Sequence, residues 1–214
     1  RIKPDVVGNG VGLYSSIATN DTSYDSYSGT SMSSPNVTGS ATLLAEYYTQ
    51  QNPGSAMRSS TLKGLIIHTA DDLGNPGPDY SNGWGLMNTE AAAELIKADA
   101  VPVDLSGDII EGLLNGGTPQ AQYQFYNNGG SPFKVTLCWT DPPGAATTAH
   151  DDRTPKLVND LDVRITGPGG SYEPYRLDVN TPSANATTGD NTVDNVEQII
   201  VPSATADMYT VTIN

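Results

Sequence analysis

Around residue 100 the hydrophobic period of this chain changes, and that change limits the folds open to it. Before residue 98 apolar residues recur at helical spacing, as in Val37, Ala41, Leu44, Ala45 and Tyr48, which marks one buried helix face. After residue 105 they fall in short runs at 122–126, 134–139, 157–166 and 209–213, separated by Gly, Pro and Asn. Short strands so spaced argue a β-sandwich or jelly roll. A chain of 214 residues has room for one large domain or two small ones. The natural divide lies between residues 98 and 105, giving a helical part, 1–100, and an all-β part, 101–214. Trp84 and Trp139 are expected to fill core space, one in each part.

The chemistry is concentrated at residues 29–35, which read Gly-Thr-Ser-Met-Ser-Ser-Pro. A Gly/Ser/Thr-rich loop runs here into the helical stretch, so the hydroxyl and amide of Ser31 sit at a helix N-terminus. Free backbone N–H groups and the positive end of the helix dipole can stabilise an oxyanion there. Pro35 is compatible with a first helical turn. Without further context, a Ser/Thr-rich cap of an ordinary core helix reads similarly. The heptapeptide, however, resembles the nucleophile segment of subtilisin-like serine proteases, the subtilases. Three more segments are similar to that family in the same order: residues 2–8 (Ile-Lys-Pro-Asp-Val-Val-Gly), 61–70 (Thr-Leu-Lys-Gly-Leu-Ile-Ile-His-Thr-Ala), and 82–88 (Asn-Gly-Trp-Gly-Leu-Met-Asn) followed by 91–96. The resemblance implies that residues 1–100 are the C-terminal part of an α/β subtilisin-like catalytic domain. It implies that Ser31 is the nucleophile, with Thr30 and Met32 shaping the cleft and the Ser31 amide donating to the oxyanion. The implied reaction is peptide-bond hydrolysis by acyl transfer, in a secreted, extracellular endopeptidase.

A subtilase also needs an aspartate that orients a histidine, that histidine as base, and an oxyanion asparagine, all before the serine. The chain has two histidines, His68 and His150. His68 falls inside a helix, where a packing or surface role is expected, and His150 lies in an Asp- and Thr-rich loop with nothing to hold it against Ser31. Neither is expected to act as base, so the chain alone is expected to be inactive, with the missing N-terminal part of the catalytic domain as its partner. Arg1 has neither initiator methionine nor leader before it, which fits the C-terminal portion of a longer enzyme. In the second half, residues 138–142 (Cys-Trp-Thr-Asp-Pro), 157–162 (Leu-Val-Asn-Asp-Leu-Asp) and 195–197 (Asn-Val-Glu) resemble the C-terminal jelly-roll β-domain of some alkaline subtilases. That resemblance implies a further strand beyond Asn214.

Twenty-four acidic against ten basic residues give a formal charge of −14, which argues against nucleic acid as a partner. No stretch approaches the length of a membrane span. The single cysteine, Cys138, reads as a buried small hydrophobe. If 157–166 is one strand, Leu157, Leu161, Val163 and Ile165 face inward and Asp160 and Asp162 share the other face, ~7 Å apart. With Asp141 and carbonyls of the Pro142-Pro143-Gly144 turn they form a candidate structural calcium site, which the habit of related subtilases supports. A solvated acidic face with Arg164 as counter-ion is the competing interpretation. Two functions stay open: a fragment of a protease acting on proteins or peptides, or a non-catalytic β-module that binds or stabilises, carrying an enzyme remnant. Because 1–100 would hold only part of a sheet, Val6, Val7, Leu13 and the apolar helix faces are expected to lack partners, and the β part to fold more independently.

Overall fold

The computed structural model describes residues 1–101, 109–114 and 121–214, so the expected divide falls partly outside the described residues. The first part opens with an antiparallel hairpin, β1 (Leu13–Ser16) and β2 (Tyr24–Tyr27), in which Leu13 lies opposite Tyr27. Three helices follow: α1 (Thr30–Gln51), α2 (Ser59–His68) and α3 (Thr89–Asp99). Helix α1 ends where the Asn52 N–H bonds the Tyr48 carbonyl at 2.8 Å and Pro53 has no N–H to continue. Helix α3 begins on Asn88, whose side chain accepts from the Ala91 amide at 2.9 Å, satisfying one of the orphan donors of the first turn. The three helices meet in one core of Leu44, Tyr48, Leu65, Ile66, Ala92 and Ile96.

The N-terminal segment is held by backbone pairing. Val7 bridges Leu86 in parallel, and Leu86 bridges Asp71 antiparallel. Between them Gly85 has φ 117, and a Cβ there would collide with the Asp71 carbonyl, so only glycine fits.

All regular elements after residue 120 are strands: β3 (Ala121–Asn128), β4 (Phe133–Cys138), β5 (Val163–Gly167), β6 (Gly170–Tyr172), β7 (Tyr175–Arg176), β8 (Thr187–Thr188), β9 (Val196–Val201) and β10 (Ala206–Ile213). They form a four-stranded sheet in the order β3-β10-β5-β6, a β4-β9 ladder and a β7-β8 pair. Alternation along each strand explains how the sheets stack. Phe133, Val135 and Leu137 of β4, with Ile199 and Val201 of β9, meet Val163 and Ile165 of β5 and Tyr209 and Val211 of β10 in a single core. This is a sandwich. Its eight described strands fall into sheets of four, two and two, where a jelly roll has eight strands in two sheets.

The opposite face of the β4-β9 ladder is also covered, by α2. Val196 packs with Ile67 of α2, Ile2 and Trp84, and Cys138 joins them. Strand β9 is accordingly buried on both faces, with only Ile200 half-exposed. A strand buried on both sides reads as a continuous run rather than an alternation, which is why the residue spacing did not announce it. The helical part thus finds cover for its second helix in the β part, contrary to the expectation that its helix faces lack partners. The hairpin remains open: Val11, Tyr14, Tyr24 and Leu43 are each more than half exposed.

The expected strand at 157–166 is only partly formed. Ladder pairing starts at Val163, because the Asp141 carboxylate accepts from the Val158 and Asn159 amides at 2.7 and 2.9 Å, taking those donors out of any ladder. Strict alternation therefore does not relate Asp160 to Asp162. The inward Val163 and Ile165 are as expected, both with no exposed surface.

Ile67 is 2% exposed in the cluster that spans both parts. Ile67→Ala is expected to cost about 2–5 kcal/mol and to move one unfolding transition seen alike by far-UV dichroism and tryptophan fluorescence. Two separated transitions, with only the helical one shifted, would show that the parts do not share this core.

Candidate active site

Ser31 is the second residue of α1 and is exposed to solvent. The helix starts on Gly29, at φ 154 and ψ 170, which has no side chain to cap it. The Met32 and Ser33 amides both turn back to the Gly29 carbonyl, at 3.0 and 3.2 Å. The amides of Thr30 and Ser31 precede them in the first turn, where a helix has no acceptor of its own to offer. Hydroxyl and donors thus occur together at the positive end of a 22-residue helix, an arrangement suited to a developing oxyanion.

Segment 8–12 fixes this helix end. The Ser33 hydroxyl donates to the Gly8 carbonyl at 2.9 Å, the Gly29 amide to the Gly10 carbonyl at 2.8 Å, and the Gly12 amide to the Ser28 hydroxyl at 2.9 Å. The approach is close: a Cβ on Gly10 would lie 2.8 Å from the Gly29 carbonyl oxygen, and one on Gly8 would lie 2.5 Å from Val37. Ser33 was not singled out from the sequence. The small residues at 8 and 10 were the available signal, but their partners lie some twenty residues away.

Among the described residues no hydrogen bond joins Ser31 to a histidine. His68 ends α2 and its Nδ1 lies 3.0 Å from the Thr136 hydroxyl of β4, and His150 is in an exposed turn. Cys138 is half-buried, and burial pushes its thiol up to about 11, in keeping with an inert core residue.

The acidic candidates are placed for other work. Asp141 accepts two backbone amides and the Asn159 side chain. Asp162 and Asp190 flank Arg164, at 3.0 and 2.9 Å from its Nη2. Their carboxyls move apart: burial and the neighbouring Asp190 raise Asp162, while hydrogen bonds from Asp162 and Arg164 lower Asp190. Asp160 is raised by burial and by Asp190 and Asp141. Among the described residues no three acidic, histidine or cysteine side chains converge on a point that a metal ion can take. Calcium requires six to eight oxygens, and the set Asp141, Asp160 and Asp162 does not fit it. Arg164 takes the place of a cation.

Comparison with known proteins bears on the first part above all. A model of the subtilase family matches residues 1–85. Over those residues the chain is similar to the subtilases. Fervidolysin of Fervidobacterium pennivorans is 28% identical over 158 residues, covering 71% of this chain and 20% of its own. Subtilisin DY of Bacillus licheniformis is 36% identical over 90 residues, 42% of this chain and 29% of its own. Among solved structures, the psychrophilic subtilisin-like protease Apa1 of Pseudoalteromonas sp. AS-11 is 35% identical and aligns with a TM-score of 0.31, over 36% of this chain and 16% of that one. The chain thus spans less than a third of the length of these curated relatives. The matched residues contain the whole of segment 29–35, helices α1 and α2, and most of the loop to α3.

Beside Arg164 lies a carboxyl that the residue spacing gave no reason to single out. Glu197 has no exposed surface, one oxygen accepts from the Val163 amide at 2.7 Å, and the other has no partner among the described residues. Burial, with Asp162 and Asp190 adding to it, pushes this carboxyl up to about 8 against the pull of the Val163 amide and Arg164. Its folded value exceeds its unfolded one, so its contribution is intact below about pH 4.5 and is lost as pH rises through about 8. Glu197→Gln is expected to flatten the fall in melting temperature between about pH 4.5 and 8; an unchanged fall would place its cause elsewhere.

Proposed function

We propose that this chain supplies the nucleophile of a secreted serine endopeptidase that cleaves proteins or peptides by acyl transfer. The observation that carries the proposal is Ser31, exposed at an uncapped helix start inside the subtilase segment. The Ser31 hydroxyl attacks the scissile carbonyl carbon and its proton passes to a histidine. The Thr30 and Ser31 amides donate to the oxyanion. Collapse of the tetrahedral intermediate releases the amine and leaves an acyl ester on Ser31, which water hydrolyses.

That histidine is neither His68 nor His150, since one is half-buried and bonded to Thr136 of β4 and the other lies in an exposed turn of the second part. The base, its orienting aspartate and the oxyanion asparagine therefore belong to an N-terminal part of the catalytic domain, docked on this chain. Its docking face is the open hairpin with Val11, Tyr14 and Tyr24, and Leu43 of α1. The β-sandwich, a jelly-roll domain by its sequence resemblance, braces α2 from behind. Among the described residues no helix is long and apolar enough to cross a membrane, and the acidic surface is compatible with an extracellular setting.

A fluorophosphonate serine-hydrolase probe tests this. Label is expected on Ser31 only when a polypeptide carrying the histidine is present, and the isolated chain should stay unlabelled. Ser31→Ala in that assembly should abolish labelling and lower turnover by about a million-fold, the magnitude established for the triad of subtilisin itself. Label that persists in Ser31→Ala would overturn the assignment.

A further inference from the structure

We propose that His68 is an acid-sensitive latch that joins the subtilase segment to the β-sandwich, closed while its ring is neutral and released when the ring takes up a proton. The ring closes α2 and bridges to the middle of β4, with Nδ1 3.0 Å from the Thr136 hydroxyl. The same hydroxyl oxygen accepts from the Gln198 side chain of β9 at 2.9 Å. In the tautomer protonated at Nε2, Thr136 gives its own hydrogen to Nδ1 while its oxygen accepts from Gln198. One hydroxyl thereby ties α2, β4 and β9 together.

A second cation is disfavoured in this corner. The Lys134 ammonium of β4 donates to the His68 carbonyl at 2.9 Å, so an imidazolium would form beside an existing positive charge. The remaining ionised groups that bear on the corner are Asp71 and Asp72, past the end of α2, and they act on Lys134. Gln198 and Thr136, which face the ring from the two strands, carry no charge. A proton at Nδ1 would also leave Thr136 with two donors aimed at its oxygen and no acceptor for its own hydrogen. Burial, with Lys134 adding to it, takes the ring down to about 4 from its ordinary 6.5.

The sign follows directly. The folded value is depressed, so the open state binds more protons than the closed one between about pH 6.5 and 4. The latch is fully closed above that window and weakens as pH falls, by up to about tenfold in the opening equilibrium per pH unit.

Amide hydrogen exchange of the whole chain between pH 7 and 4, corrected for intrinsic rates, reads the opening segment by segment. Exchange within α2 and β4 is expected to rise as pH falls below 6.5, while Asn at this position, His68→Asn, keeps an acceptor near Nδ1 without titrating and should flatten the rise. Equal slopes in both proteins, or a rise confined to other segments, would overturn the proposal. A second variant stands if His68→Asn fails to fold. A Cβ on Gly64 would lie 3.1 Å from that of Cys138, a few tenths of an ångström inside the usual disulfide separation, so Gly64→Cys can staple α2 to β4. With the staple oxidised the acid-induced exchange should disappear and with it reduced it should return. Acid-induced opening of α2 and β4 that persists under the oxidised staple would also overturn the latch.

Discussion

The fold depends on the seating of one short helix between two cores. On one side, α2 gives Leu65 and Ile66 to the helical core around Leu44 and Ile96. On the other, it gives Ile67 to a cluster with Ile2, Trp84 and Val196. Ten residues cannot hold themselves helical in water, so burial on both flanks is what keeps α2 in place. The β4-β9 ladder is in the same position: two strands alone are marginal, and this pair is stable because the four-stranded sheet covers one face and α2 the other. Each element supplies the cover that the other lacks.

The nucleophile end of α1 is built on that platform with little apolar material of its own. Its order comes from backbone and hydroxyl bonds to segment 8–12, and segment 8–12 is in turn carried by the Val7–Leu86 pairing. Glycine is needed at position 10, where a Cβ would meet the Gly29 carbonyl, and at position 8, where it would meet Val37. The result is a reactive hydroxyl that is exposed, while the frame behind it is held by α2 and the sandwich.

Two buried ionisable groups lie on opposite faces of the β4-β9 ladder. Glu197 points into the sandwich, where it bonds the first amide of β5, and His68 meets the outer face through Thr136. Both are held towards their neutral forms by desolvation, the carboxyl raised and the imidazole lowered. Their strain with pH runs in opposite senses, so this ladder is best satisfied at intermediate pH.

Much of the chain was legible beforehand. The helix start at residues 29–31 was, because a Gly/Ser/Thr-rich loop there runs into an apolar-periodic stretch. The two-part architecture was also legible, because a period of 3.6 gives way to a period of 2. Strand β9 was not, since burial on both faces erases alternation. Nor was the irregular stretch before Val163, where the Asp141 side chain outcompetes a ladder for the Val158 and Asn159 amides. The acidic residues 141, 160 and 162 suggested a cation site by type and spacing; Asp162 pairs with Arg164, while Asp141 accepts from the Val158 and Asn159 amides. By itself the sequence determined local structure: where the first helix starts, that Ser31 stands at that start, and which faces are apolar. Tertiary structure alone decided that α2 is shared between the two parts, that His68 meets Thr136, and that Glu197 is buried, because these depend on contacts between segments more than thirty residues apart, about which local period and spacing carry no information.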